Sequence, residues 1–233
     1  MKNLIEKLEE IKNSPRGGAI FFFAFYFLFF VFVFALLGIG HNNSNTSKNY
    51  EGNKSTNYNG MSNKNYDFIY KINLDGIEYN YIGKQNNDKS LFEFNGNNYY
   101  ASSDKYFIYD GSNLTSVNSP YIVDSIFVDS DKIFELIKLA SFESKTEYES
   151  GKKNYNYLIS SNTINKYFYN IDSDYLENPN RLVVIANENN IVDNVVLYLD
   201  SFCVLNKTCQ NSLRIELSYS NFGKIEEINN PIG

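Results

Sequence analysis

Tryptophan is absent from this 233-residue chain, histidine occurs once, cysteine twice and proline four times. With His41 alone, neither a Ser-His-Asp nor a Cys-His catalytic arrangement can be assembled. A zinc site of His and Cys type has too few ligands, because the two cysteines lie far from His41 in sequence. The G-x-S-x-G, P-loop and H-E-x-x-H patterns are missing as well. A lipoprotein anchor needs a cysteine just behind an apolar leader, and the first cysteine here is Cys203. The expectation is therefore a non-enzyme with no catalytic residue, no metal and no cofactor.

A basic cluster is also lacking. Residues 1–16 carry Lys2, Lys7, Lys12 and Arg16 against Glu6, Glu9 and Glu10, a balance of +1 in a chain of net charge −6, so the remainder stands at −7. Such an acidic portion offers no footprint for a phosphate backbone, and no nucleic-acid partner is expected. The length suits one sizeable domain with accessories. In excess are 20 Tyr and 19 Phe, with many Asn, Lys and Ile. All are read from AT-rich codons, which points to a low-GC, bacterial genome rather than to a function.

One run decides the chain's setting. Residues 19–39 read AIFFFAFYFLFFVFVFALLGI, without charge or proline. As a helix this run is roughly 32 Å long, against a hydrocarbon core of about 30 Å. Its apolar side chains favour insertion by ~0.3–0.6 kcal/mol each, on the order of 5–10 kcal/mol together. The expectation is a transmembrane helix over 19–40. A cleaved signal peptide would have a 7–15-residue apolar stretch, and this run is too long and sits behind a long polar head. Four basic residues precede it and none lies in 41–47, so the N-terminus is expected in the cytoplasm and the rest outside the cell membrane. Residues 1–18 read as a cytoplasmic amphipathic segment, with Leu4, Ile5, Leu8 and Ile11 at helical spacing before Pro15.

Residues 41–65 contain almost nothing apolar and read as a flexible linker, with a mean reach of roughly 25–30 Å. From 66 the texture becomes alternating. Tyr66, Phe68, Tyr70, Ile72 and Leu74 point one way and Asp67, Lys71 and Asn73 the other, the mark of a half-buried strand. Asp75-Gly76, Asn95-Gly96 and Asp110-Gly111 are turn pairs suited to positive φ, each between alternating runs. An antiparallel meander follows from them. Aromatic residues on these strands, together with Ile72, are the candidates for lining a ligand cavity: Tyr66, Phe68, Tyr70, Ile72, Tyr79, Tyr81, Phe94 and Phe107.

Further along, Asp129-Ser130 can cap a helix through Ala140, with Ile133, Leu136, Ile137 and Ala140 on one face. Residues 160–168 are ambiguous between helix and loop. Strands return at 155–159, 182–186, 191–199 and 213–219. Cys203 and Cys209 flank a turn before the last strand, and facing positions of an antiparallel pair lie within disulfide reach. Outside the cytoplasm a structural bridge is favoured over a redox pair, with two free thiols as the alternative. Two acidic groups remain, Asp124/Asp129/Asp131 and Asp172/Asp174/Glu177. They lack EF-hand spacing and read as solvated loop acids.

The closing stretch from Leu213 to Pro231, LRIELSYSNFGKIEEINNP, resembles the end of envelope lipoproteins with the LolA/LppX-like fold: a strand, a Tyr-Ser-x-x-Gly turn and an Ile-x-x-Pro tail. The resemblance covers roughly 66–233, by order of elements more than by identity. It implies a strongly curved, half-open β-barrel with helices on its concave side, and proteins that carry lipids or sense envelope partners. The chain departs from the family in lacking the lipid-attached cysteine, which bears against shuttling lipid between membranes.

The fold class expected is thus a transmembrane helix followed by a mainly-β (α+β) ectodomain at 66–233, a curved antiparallel sheet with one or two covering helices. Its function is read as a membrane-tethered binding module for a lipid or other apolar ligand. Contact with an envelope protein partner is one alternative, and hydrolysis by the loop carboxylates another.

Overall fold

The computed structural model describes residues 64–172 and 178–232. The segment 1–18, the expected spanning helix at 19–40 and all of the linker before residue 64 lie outside them. Among the described residues no helix is long and apolar enough to cross a membrane.

Eleven strands form one open, curved antiparallel sheet. The first half is a meander: β1 (Asn65–Leu74), β2 (Ile77–Asn86), β3 (Lys89–Phe94), β4 (Asn97–Ser102), β5 (Lys105–Tyr109) and β6 (Leu114–Val117). A 3-10 turn (Ser125–Phe127) and helix α1 (Ser130–Leu139) follow. The second half comprises β7 (Ser141–Glu147), β8 (Lys153–Ile159), α2 (Ser161–Tyr169), β9 (Asn180–Ala186), β10 (Val192–Tyr198), α3 (Asp200–Leu205) and β11 (Leu213–Ser220). The spatial order is β6-β5-β4-β3-β2-β1-β11-β10-β9-β8-β7. The two meanders meet where β1 pairs with β11, and β6 and β7 are the opposite edges. Residues 118–140 must therefore cross the sheet.

The turns form for local reasons. Asp75-Gly76 and Asn95-Gly96 take positive φ at both positions, as two-residue hairpins require. Ser103-Asp104 does the same without glycine, and the Ser103 hydroxyl donates to Asp88 at 2.7 Å. Asp110-Gly111 lies instead in a four-residue loop, because the Asp110 carboxylate accepts the amides of Ser112 and Asn113.

Period-two alternation gives the sheet a covered inner face and an outer one. One inner row runs Tyr155–Val184–Val195–Leu217–Tyr70–Tyr81, and the next runs Tyr219–Phe68–Gly83–Phe92–Tyr99–Ile108. Helix α1 starts at Asp129, whose carboxylate accepts the amides of Asp131 and Lys132, and it buries Ile133, Leu136 and Ile137 on the core. Segment 160–168 resolves as α2, capped by Ser160 and ended by Asn170 in the left-handed region. Buried Asn180 ties three elements together: its amide donates to Ile159 O and Ser161 Oγ, and its oxygen accepts from Phe202 N.

One expectation needs correction. Residues 200–205 form α3 rather than part of a turn between strands. The Cys203–Cys209 disulfide therefore joins this helix to the loop behind it, with Cα atoms 5.2 Å apart, and does not link facing strand positions. Strand β7 carries no alternation because every one of its residues is exposed at the sheet edge.

Candidate functional site

The inner face between β11 and β5 is rich in aromatic rings. Of the residues expected to line a cavity, Tyr66, Phe68, Tyr70, Ile72 and Tyr81 stand together there, each no more than 2 % exposed. Phe94 is buried and Tyr79 half-buried beside them. Phe107 is elsewhere: it pairs with Tyr100 on the outer face, ring centroids 6.1 Å apart. Four further rings join the patch but were not among the expected lining residues: Phe92, Tyr99, Tyr219 and Tyr121. Phe92 could have been found two positions before Phe94, and Tyr219 on the alternation of β11. Tyr121 lies in the crossing segment, where no periodicity marks it.

The rings interlock. Tyr81 stacks on Phe94 at 4.1 Å, Phe68 on Tyr70 at 4.3 Å and Phe92 on Tyr99 at 5.2 Å. Tyr121 descends from the crossing segment to 5.0 Å from Tyr81 and 5.6 Å from Phe92. Gly83 lets the row close between Phe68 and Phe92, since a Cβ there would strike the Leu91 carbonyl oxygen and Phe92 Cβ. Such ring pairs add ~0.5–1.5 kcal/mol each beyond their burial.

Electrically the site is neutral. Burial pushes the phenols of Tyr70, Tyr121 and Tyr219 well above the ordinary value, and that of Tyr66 upward as well. Tyr81 is pushed up to about 12 by burial, opposed by the amide of Ile122. All of these rings stay protonated at any physiological pH. The Tyr81 hydroxyl donates to Pro120 O at 3.1 Å and accepts from Ile122 N at 3.2 Å, pinning residues 120–122 over the rings. The Tyr66 hydroxyl donates to Gln85 at 3.1 Å. At the start of α1, Lys64 pairs with Asp131 at 2.6 Å and lies 3.8 Å from Asp129. Burial lowers the Lys64 pKa, but the hydrogen bond and the two carboxylate charges outweigh it and the net shift is upward.

The described carboxylates of the two acidic groups bond to the scaffold. Asp124 accepts the amide of Ile126, Asp129 caps α1, Asp131 holds Lys64, and Asp172 pairs with Lys166 at 2.8 Å. Asp174 and Glu177 lie outside the described residues. Among the described residues no three His, Cys, Asp or Glu side chains gather to hold a metal. The chemistry on offer at the ring patch is burial of apolar surface, with neutral hydroxyl groups at its margin.

The cover is not uniformly fixed. Fully burying an Ile, Leu or Phe is worth ~1.5–3 kcal/mol, so lifting α1 with Ile133, Leu136 and Ile137 would cost roughly 5–9 kcal/mol. Residues 121–123 are only half-buried, and the Tyr81 hydroxyl holds the backbone on either side of Tyr121. Opening at 118–123 would instead break the two Tyr81 hydrogen bonds and lift the Tyr121 ring from Tyr81, Phe92 and Tyr106.

No protein-family model matches the chain, and no curated protein does. Among solved structures it is similar to LprF from Mycobacterium bovis, at 10 % identity over 74 % of this chain and 91 % of that one, with a TM-score of 0.41. It is similar also to a LolA superfamily protein from Nitrosomonas europaea, at 10 % identity over 70 % and 86 % and a TM-score of 0.29. A third is an outer membrane lipoprotein-sorting protein domain from Vibrio parahaemolyticus, at 9 % identity over 70 % and 86 % and a TM-score of 0.26.

Proposed function

We propose that this chain is a membrane-tethered, extracytoplasmic binding module that takes the apolar chain of a lipid or comparable ligand against the ring-lined part of its inner face. The observation that carries this reading is the neutral ring patch beneath a short segment held by the Tyr81 hydroxyl and the Tyr121 ring. Opening at 118–123 uncovers Tyr81, Phe92 and Tyr106 and leaves α1 in place. The tether is the uncharged run 19–39, with the basic flank keeping the N-terminus in the cytoplasm.

A second reading has its own support. The inner-face rings are packed against one another, and a filled interior suits a module that contacts an envelope protein through its surface. Native mass spectrometry on the full-length chain, released from membrane vesicles, separates the two. Ligand holding predicts an adduct of acyl-lipid mass, removed by delipidation and restored by added fatty acid. No adduct before or after that addition would overturn it in favour of the partner. The tether predicts that alkaline carbonate leaves the chain in the vesicles and that protease added to whole cells removes the C-terminal part. The opposite outcome in either assay would refute it.

A further inference from the structure

Only three of the 21 basic residues are arginine: Arg16, Arg181 and Arg214. The two in the described part converge on one ring. Tyr198 on β10 faces Arg181 on β9 and Arg214 on β11 in register, and the guanidinium carbons lie 5.4 and 5.7 Å from its centroid. Leu182, Leu197 and Leu213, the adjacent residues on these strands, are buried in the core, so this row is on the outer face, across the sheet from the ring patch. A guanidinium stacks on an aromatic face and a lysine ammonium does not reproduce that geometry. In a chain otherwise supplied with lysine, arginine here serves its planar fork.

The two arginines are not equivalent. Arg214 donates to Glu216 at 3.0 Å and is paired. Arg181 makes no ion pair among the described residues, and it lines a cleft of about 1000 Å³ together with Tyr198. That volume lies at the upper end of small-molecule sites. The cleft has an apolar wall of Pro179, Val204 and Leu205, and polar groups from Asp200 and Asn211. Its floor is stiff, because Asn180 beside Arg181 is fully bonded and buried, and the disulfide fixes the loop that carries Asn211. One oxygen of Asp200 already accepts the Leu213 amide. Its charge disfavours a bare anion and favours a ligand that also brings hydroxyl donors.

We infer that this cleft binds a polyol phosphate, with the Arg181 fork on the phosphate and with Asp200 and Asn211 on the hydroxyls. The same chemistry occurs in a soluble sugar or glycerol phosphate and in the headgroup of phosphatidylglycerol. The site stands apart from the ring patch, so its failure leaves the proposed function untouched, and the reverse also holds.

The test uses the full chain in phosphatidylcholine nanodiscs. One arm titrates sn-glycerol 3-phosphate by calorimetry. The other measures co-flotation with separate vesicles containing phosphatidylglycerol, against vesicles of phosphatidylcholine alone. Saturable binding in the first arm assigns a soluble ligand, and binding in the second arm only assigns a headgroup. In either, Arg181→Gln is expected to weaken binding at least tenfold and Arg181→Lys severalfold, while Arg214→Gln changes it less than threefold. Asn211→Asp, on an exposed loop, adds a negative charge to the cleft without touching the sheet and is expected to weaken binding at least fivefold. Absence of binding in both arms, or binding unaffected by both Arg181→Gln and Asn211→Asp, overturns the assignment.

Discussion

Replacing Tyr81 with phenylalanine removes one oxygen and leaves the ring stack on Phe94 in place. The lost atom makes two hydrogen bonds, to Pro120 O and from Ile122 N, both in the crossing segment. Each is worth ~0.5–1.5 kcal/mol net, so about 2 kcal/mol leaves the closed state. Because volume is conserved, almost none of that loss falls on the core. The free energy of local opening should drop by about 2 kcal/mol, which raises the open population roughly 30-fold. Hydrogen exchange of the full-length protein in nanodiscs reads this directly. Amides at 121–124 should exchange about 30 times faster, while those of β1 and β11 stay unchanged. Uptake of a fluorescent fatty acid should accelerate in the same variant. Uniformly faster exchange over the whole sheet, or no change at 121–124, would refute the idea that this phenol latches a movable segment.

Three further outcomes follow from the geometry. Asp129→Ala removes the acceptor for two helix amides and should cost about 1 kcal/mol, read as a loss of a few degrees in Tm. Changing Cys203 and Cys209 to serine opens a seven-residue loop and should destabilise the folded state by ~2.4 kcal/mol in denaturant titration. Alkali should unfold the domain cooperatively. Tyr81 is shifted from the ordinary 10.0 to about 12, and Tyr70, Tyr121 and Tyr219 are shifted in the same direction. The folded chain thus holds protons that the unfolded chain releases, so their contribution is constant below about pH 10 and is lost as pH rises from there towards 12. Phenolate absorbance and circular dichroism should change together in that window. Ionisation of these buried rings without loss of structure would contradict their placement.

Much of the fold was legible because a half-buried strand writes period two into its residues. β1 and β11 show it in full, and Asp75-Gly76 and Asn95-Gly96 show their turns, since few residue pairs adopt those angles at low cost. Helix α1 was readable from Asp129 and its apolar stripe. β7 was not, because an edge strand exposed on both faces has no reason to alternate. Helix α3 was hidden by its shortness, and the Cys203–Cys209 loop reads equally well as a bend between strands. The ring patch was legible where it lies on strands, as with Tyr66, Phe68, Tyr70 and Tyr81. Phe107 misled because alternation reveals that two faces exist without saying which is covered; only its pairing with Tyr100 places it outside. Tyr121 and the Tyr81 latch are tertiary facts, 39–41 residues apart in sequence, and no local pattern encodes them.

Labelling by a photoactivatable fatty acid reads whether an acyl chain reaches the ring patch. The reagent is added to the full-length chain in vesicles, and the modified peptides are mapped by mass spectrometry. Labels are expected on residues 91–101 and 118–128, increased in Tyr81→Phe and suppressed by excess unlabelled fatty acid. Labels confined to the outer face around Tyr100 and Phe107, or none in the described domain, would contradict the proposed binding.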